Sequence, residues 1–110
     1  MRVYLIKKQA IEDYLVGHAP GRSSFENWLS AIKHADWDKP DDIQKTFNSA
    51  DSLGSGSKRV VFNIGGNNYR MICRYHFGKL KVHIFICWIG THSDYKELCK
   101  REDQYTVNAY

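Results

Sequence analysis

The sequence predicts an α+β fold in which two N-terminal helices pack on one face of a mostly antiparallel sheet. Three observations carry that expectation. Apolar residues recur at helical spacing through the first half, and with a period of two from about residue 58. Two clusters of turn residues, Gly65-Gly66-Asn67-Asn68 and Gly78-Lys79, cut the second half into a meander. The 110 residues, 43% hydrophobic and 25% charged, suit one globular domain spanning 1–110.

Each element follows from its residues. Val3, Tyr4 and Ile6 are β-branched or aromatic and make residues 1–6 a short strand. Ala10, Ile11, Tyr14 and Leu15 form a helical stripe over 9–18, which Gly17 and Pro20-Gly21 stop. Ser23 or Ser24 caps a second helix, with Glu26 as its capping-box partner. The apolar stripe of that helix is Phe25, Trp28, Leu29, Ile32 and Ala35. Pro40 closes the region, residues 41–47 make one short helical turn, and 49–57 are a loop by composition. Residues 58–64, 69–77 and 80–89 are strands. Gly90 ends the last of them, and Thr91 or Ser93 caps a short helix over 94–99.

The longest apolar run, Ile84 to Ile89, falls far short of the ~20 residues that span a bilayer. The apolar N-terminus is likewise too short for a secretory signal. We therefore expect a cytoplasmic protein without membrane contact. Cys73, Cys87 and Cys99 are odd in number and contain no CxxC pair, so they read as reduced packing thiols; no metal and no cofactor is expected. The net charge of +4 is uneven. Residues 1–57 carry seven Lys/Arg against eight Asp/Glu, whereas 58–110 carry nine against four. A basic half within one small domain points to a polyanionic partner, nucleic acid being the commonest.

The turns set the strand register. A two-residue turn at Gly78-Lys79 pairs Phe77 with Leu80, Tyr75 with Val82, Cys73 with Ile84 and Met71 with Ile86. The turn at 65–68 pairs Ile64 with Tyr69, Phe62 with Met71 and Val60 with Cys73. All of these face one core. The opposite face then carries Asn63 beside Arg70, Arg74 beside His83 and His76 beside Lys81, with no carboxylate among them. Like charges opposed across strands repel, so an anion seated over this face explains their grouping. These residues are the candidate substrate-binding set. His92 stands at a strand-to-helix corner, a position from which an imidazole can transfer protons near neutral pH.

The run Val60-Val61-Phe62-Asn63-Ile64-Gly65-Gly66-Asn67-Asn68-Tyr69-Arg70, followed by Ile89-Gly90-Thr91-His92-Ser93-Asp94-Tyr95, resembles the HigB toxins. These are RelE-like mRNA interferases of type II toxin–antitoxin modules. The Trp28 helix, Ala35-Asp36-Trp37 and Pro40-Asp41-Asp42-Ile43 are similar to that family as well. The resemblance implies a RelE-like fold, cleavage of translated mRNA on the ribosome, and neutralisation by a helix-turn-helix antitoxin, HigA. Operator DNA would be bound only through the antitoxin complex. Carried over by motif, Arg70, His92 and Tyr95 are the catalytic candidates. Where such proteins commonly have a basic residue in the last strand, this chain has Cys87, which the register places opposite Arg70. Either Arg74 and His83 replace that charge, or activity is weakened.

Metal-free RNA cleavage needs a base for the 2′-OH, an acid for the leaving 5′-oxygen and a cation for the phosphorane charge. Arg70 supplies the cation, while His92 and Tyr95 share the acid and base roles in an order the sequence leaves open. Two alternatives use the same basic face without catalysis: an RNA- or ribosome-binding platform, and a dock for an acidic protein.

Overall fold

A computed structural model describes all 110 residues. Strand β1 (Arg2–Ile6) leads into α1 (Gln9–Val16) and α2 (Arg22–Lys33), and then into the short α3 (Asp42–Thr46). Strands β2 (Asp51–Ser52), β3 (Arg59–Ile64), β4 (Tyr69–Phe77) and β5 (Lys81–Thr91) follow, and α4 (His92–Lys100) comes directly after β5. The five strands form one sheet in the order β1-β5-β4-β3-β2. Only the β1–β5 pair is parallel; the rest are antiparallel.

Sequence pattern and structure agree on most elements and differ where local signals mislead. No serine caps α2, which starts at Arg22 with Gly21 at the N-cap and no side-chain cap. Pro20 opens a 3₁₀ turn over Ala19–Gly21 that runs straight into the helix, so Ser23 and Ser24 lie within it. Gly21 has a steric reason of its own: a Cβ there would come within 2.8 Å of the Tyr69 ring. The stretch read as a plain loop contains β2, whose two residues pair with Val61 and Val60. Two residues carry no periodicity, so no pattern announces them.

The β3–β4 register is the expected one, with Ile64 opposite Tyr69 and Phe62 opposite Met71. The β4–β5 register is not. Phe77 pairs with Val82, because the Gly78 N–H bonds to the Lys81 carbonyl and the turn centres on Lys79-Leu80. The two-residue shift preserves the faces, so Val82, Ile84 and Ile86 still point into the core and Leu80 is left exposed. A bulge at Cys87 then changes the parity: Cys73 pairs with Ile86 but Ile72 with Trp88. Arg70 therefore stands opposite Gly90, not Cys87.

The principal core joins Ile11 and Leu15 of α1 and Phe25, Trp28 and Ile32 of α2 to Val60, Phe62, Met71, Cys73, Val82 and Ile84 of the sheet. Tyr69 is only partly buried against it. The other face of the sheet is not an uninterrupted basic surface. Val61, Ile72, Cys87 and Leu98 form a second buried cluster there, which Leu53, Trp88, Tyr95 and Val107 surround. Leu98 of α4 plugs this cluster, and burying a leucine contributes roughly 1.5–3 kcal/mol. Arg59 is also buried, and it donates to the carbonyls of Val107 (2.6 Å) and Gln104 (3.3 Å), fastening the last residues over the sheet. All three cysteines are free thiols, with Cys73 and Cys87 buried. No helix is long and apolar enough to cross a membrane.

Candidate active site

The start of β4, the β5–α4 corner and the first turns of α4 meet on one side of the sheet. Thr91 is the N-cap of α4, which removes the choice between Thr91 and Ser93. Its hydroxyl accepts from the Asp94 N–H, and the Asp94 carboxylate accepts from the Thr91 N–H, both at 3.1 Å. This reciprocal box sets the corner, so His92 enters the helix as its first residue. The Asn68 carbonyl accepts the His92 N–H at 3.2 Å, tying the β3–β4 turn to the same corner. At Gly90, opposite Arg70, a Cβ would come within 2.4 Å of the Trp88 ring, so any side chain there would displace that ring. That ring crosses the glycine to reach Tyr95, centroid to centroid 6.1 Å.

The structure brings Arg70, His92 and Tyr95 together. Arg70 Nη2 lies 2.9 Å from His92 Nδ1, and the guanidinium carbon lies 5.7 Å from the centre of the Tyr95 ring. A guanidinium has donors and no acceptor, so His92 Nδ1 carries the lone pair and the ring proton sits on Nε2. Arg70 Nε is buried without a partner, leaving the group short of one acceptor. Burial raises the Tyr95 pKa well above that of a free phenol, and Cys99 adds to the rise while the Arg70 cation opposes it. Tyr95 is therefore a neutral donor at physiological pH. The three residues line an open depression of about 460 Å³ together with Lys96, Cys99 and Lys100.

The remaining sequence-derived residues divide. Asn63 is the cross-strand partner of Arg70, and its side-chain amide donates to the Ser49 carbonyl at 3.4 Å. Arg74, His76, Lys81 and His83 are not gathered around Arg70. Arg74 pairs with Phe85 and stacks on its ring at 4.3 Å, while His76 pairs with His83 rather than with Lys81. The Lys81 ammonium sits 5.4 Å from the Tyr4 ring. Ile72 separates the two groups, since Arg70 and Arg74 lie four residues, ~13 Å, apart on one strand. Lys96, Cys99 and Lys100 were not among the sequence candidates. Lys96 and Cys99 follow His92 and Tyr95 by four residues, and Lys100 follows Lys96 by four, which was the available signal given that a helix starts at His92. No three His, Cys, Asp or Glu side chains converge anywhere in the structure.

The HigB_toxin family model, described as the RelE-like toxic component of a toxin–antitoxin system, matches residues 22–98. That span contains all the residues of the depression except Cys99 and Lys100. Among curated proteins, the chain is similar to the mRNA interferase HigB of Escherichia coli O6:H1, with 24% identity over 98 residues, 89% of this chain and 93% of the relative. The mRNA interferase toxin HigB of Escherichia coli K12 is 26% identical over 93 residues, 84% and 88% of the two chains. The mRNA interferase HigB of Shigella flexneri matches to the same extent.

Proposed function

The chain belongs to the HigB family, the RelE-like toxic components of toxin–antitoxin systems, and on that premise we propose that it is an mRNA interferase that cleaves translated mRNA on the ribosome. The observation that carries this reading is the Arg70–His92 hydrogen bond at a depression that Tyr95 also lines. The reading includes one RelE-like domain with α1 and α2 on a single face of the sheet. It also includes a cytoplasmic setting and a HigA-like helix-turn-helix antitoxin, through which alone operator DNA is bound.

The reaction is a transesterification. An RNA phosphate competes for the Arg70 guanidinium, because a charge-assisted bond to an anion is stronger than one to a neutral imidazole. His92 Nδ1, relieved of that donor, accepts the proton of the 2′-OH. The 2′-oxygen bonds to phosphorus, and the bond from phosphorus to the 5′-oxygen breaks. Tyr95, held protonated, donates to the departing 5′-oxygen, and its phenolate recovers a proton from the His92 imidazolium. Arg70 offsets the charge gathering on the phosphorane oxygens. The products are a 2′,3′-cyclic phosphate and a 5′-OH, and the step as written needs no metal ion.

Expression of the chain alone tests the reading. Growth should stop, translated transcripts should shorten with cyclic phosphate ends, and co-expression of the antitoxin should relieve both effects. Normal growth with intact transcripts, despite soluble expression, would overturn it.

A further inference from the structure

The basic strands and the depression offer two different routes for a polyanion leaving Arg70, and the structure favours one of them. Down the sheet, the next positions of that face hold Ile72 and Cys87, buried in the second apolar cluster under Leu98 of α4. A phosphate cannot rest on that plug, and Arg74 lies beyond it with its guanidinium already over the Phe85 ring. Along α4 the way is open. His92, Lys96 and Lys100 recur every four residues, so they form one stripe with a rise of ~6 Å per step. That interval is comparable with the spacing of successive phosphates in an extended strand.

The charges along this route are also arranged for an anion. Lys96 is exposed and takes part in no ion pair, whereas Lys100 is shared with Glu97 at 3.0 Å. The depression is lined by three cationic side chains, with His92, Tyr95 and Cys99, and by no carboxylate. Asp94, the other acid on this helix, is engaged in the Thr91 cap.

From these observations we propose that Lys96 forms a second phosphate subsite, binding the phosphodiester next to the one held by Arg70, so that the RNA backbone runs along α4 and not down the basic strands. Lys100 extends the track at its far end, weakened by Glu97. The inference rests on the mRNA-interferase reading, and it adds residues that the sequence did not nominate. It also gives the chain a reason to place cations on the exposed side of a helix whose buried side serves packing.

The test measures binding of a short 2′-O-methyl RNA oligonucleotide of mixed sequence, which has no 2′-OH to attack, across a range of salt. The proteins compared are the parent, Lys96→Gln, Arg74→Gln and Lys33→Gln, the last a control for net charge on α2. Lys96→Gln should bind about fivefold more weakly at low salt, with a log–log salt slope shallower by about 0.7, the value for one single-strand phosphate contact. The Lys33→Gln slope should match the parent's. A Lys96→Gln slope equal to the parent's overturns the subsite, and a larger loss in Arg74→Gln assigns the track to the sheet instead. If the parent shows no affinity for the oligonucleotide, the subsite is refuted, while toxicity on expression still decides the interferase reading separately.

Discussion

Arg70 and His92 are chemically unequal, and their hydrogen bond makes the difference measurable. In the proposed reaction the arginine, a planar cation, serves phosphate binding and transition-state charge alike. In that proposed reaction the histidine acts through one lone pair, which the Arg70 hydrogen bond covers in the structure and which an RNA phosphate would free. His92→Ala should therefore preserve RNA affinity and cut single-turnover cleavage by at least about a hundredfold. Arg70→Ala should lower both, with a shallower salt dependence. If His92→Ala cleaves at the parent rate, the imidazole is structural and the base must be sought elsewhere. These residues were legible because short motifs mark them: Asn-Tyr-Arg at the start of a strand and Thr-His-x-x-Tyr at a corner. Lys96 and Cys99 were not, since their spacing of four from His92 and Tyr95 is informative only once the helix is known to start at His92.

At the scale of elements, the β4–β5 hairpin shows what periodicity conveys and what it omits. Gly78 reads as a turn centre, yet it sits just before the turn, where a Cβ would come within 3.0 Å of the Lys81 carbonyl oxygen. The error was two residues, an even number, so the apolar set kept its face. The bulge at Cys87 is odd, and nothing in Ile84-Phe85-Ile86-Cys87-Trp88-Ile89 marks which residue is extra. Gly90 is where the bulged strand matters to the site. Gly90→Ala should displace Trp88 and with it Tyr95, at a cost of about 1–3 kcal/mol, and slow cleavage. A variant with the parent's stability and rate would show that the ring moves aside freely. α3 offers a separate, pH-dependent test. The Asp42 carboxylate accepts the N–H groups of Asp38 and Lys39 and pairs with Lys45, which lowers its pKa from an ordinary carboxyl value to about 2. A depressed carboxylate stabilises the fold above its unfolded pKa and loses that effect as pH falls through the folded one. The stability gap between the parent and Asp42→Asn should be full above about pH 4 and close toward pH 2. A gap that does not vary with pH would mean these bonds do not depend on the charge.

Across the whole molecule, one sheet is covered on both faces, and the covering of the second face was the feature least visible in the sequence. Alternation divided the strands into an apolar face and a basic one, but Val61, Ile72 and Cys87 belong to the second face and are buried. They escaped notice because five basic residues share the strands with them, and because α4 and the last ten residues supply their cover from elsewhere in the chain. Arg59 is the clasp of that cover. It is a buried cation with no carboxylate partner, its charge instead met by the Gln104 and Val107 carbonyls, while the Ala109 N–H reaches the Cys87 carbonyl at the bulge. Hydrogen bonds to a charged group contribute roughly 1.5–3 kcal/mol, and removing this one also frees the segment that shields the second cluster. Arg59→Ala should therefore lower the melting temperature by on the order of 10 °C and speed amide exchange at Val107 and Ala109. If both faces belong to one domain, unfolding should remain a single transition that moves as a whole. A new early transition, with the main one unmoved, would instead make α4 and the terminal segment an independent cover. In that case the site would be lost before the fold, since His92 and Tyr95 stand on the part that leaves.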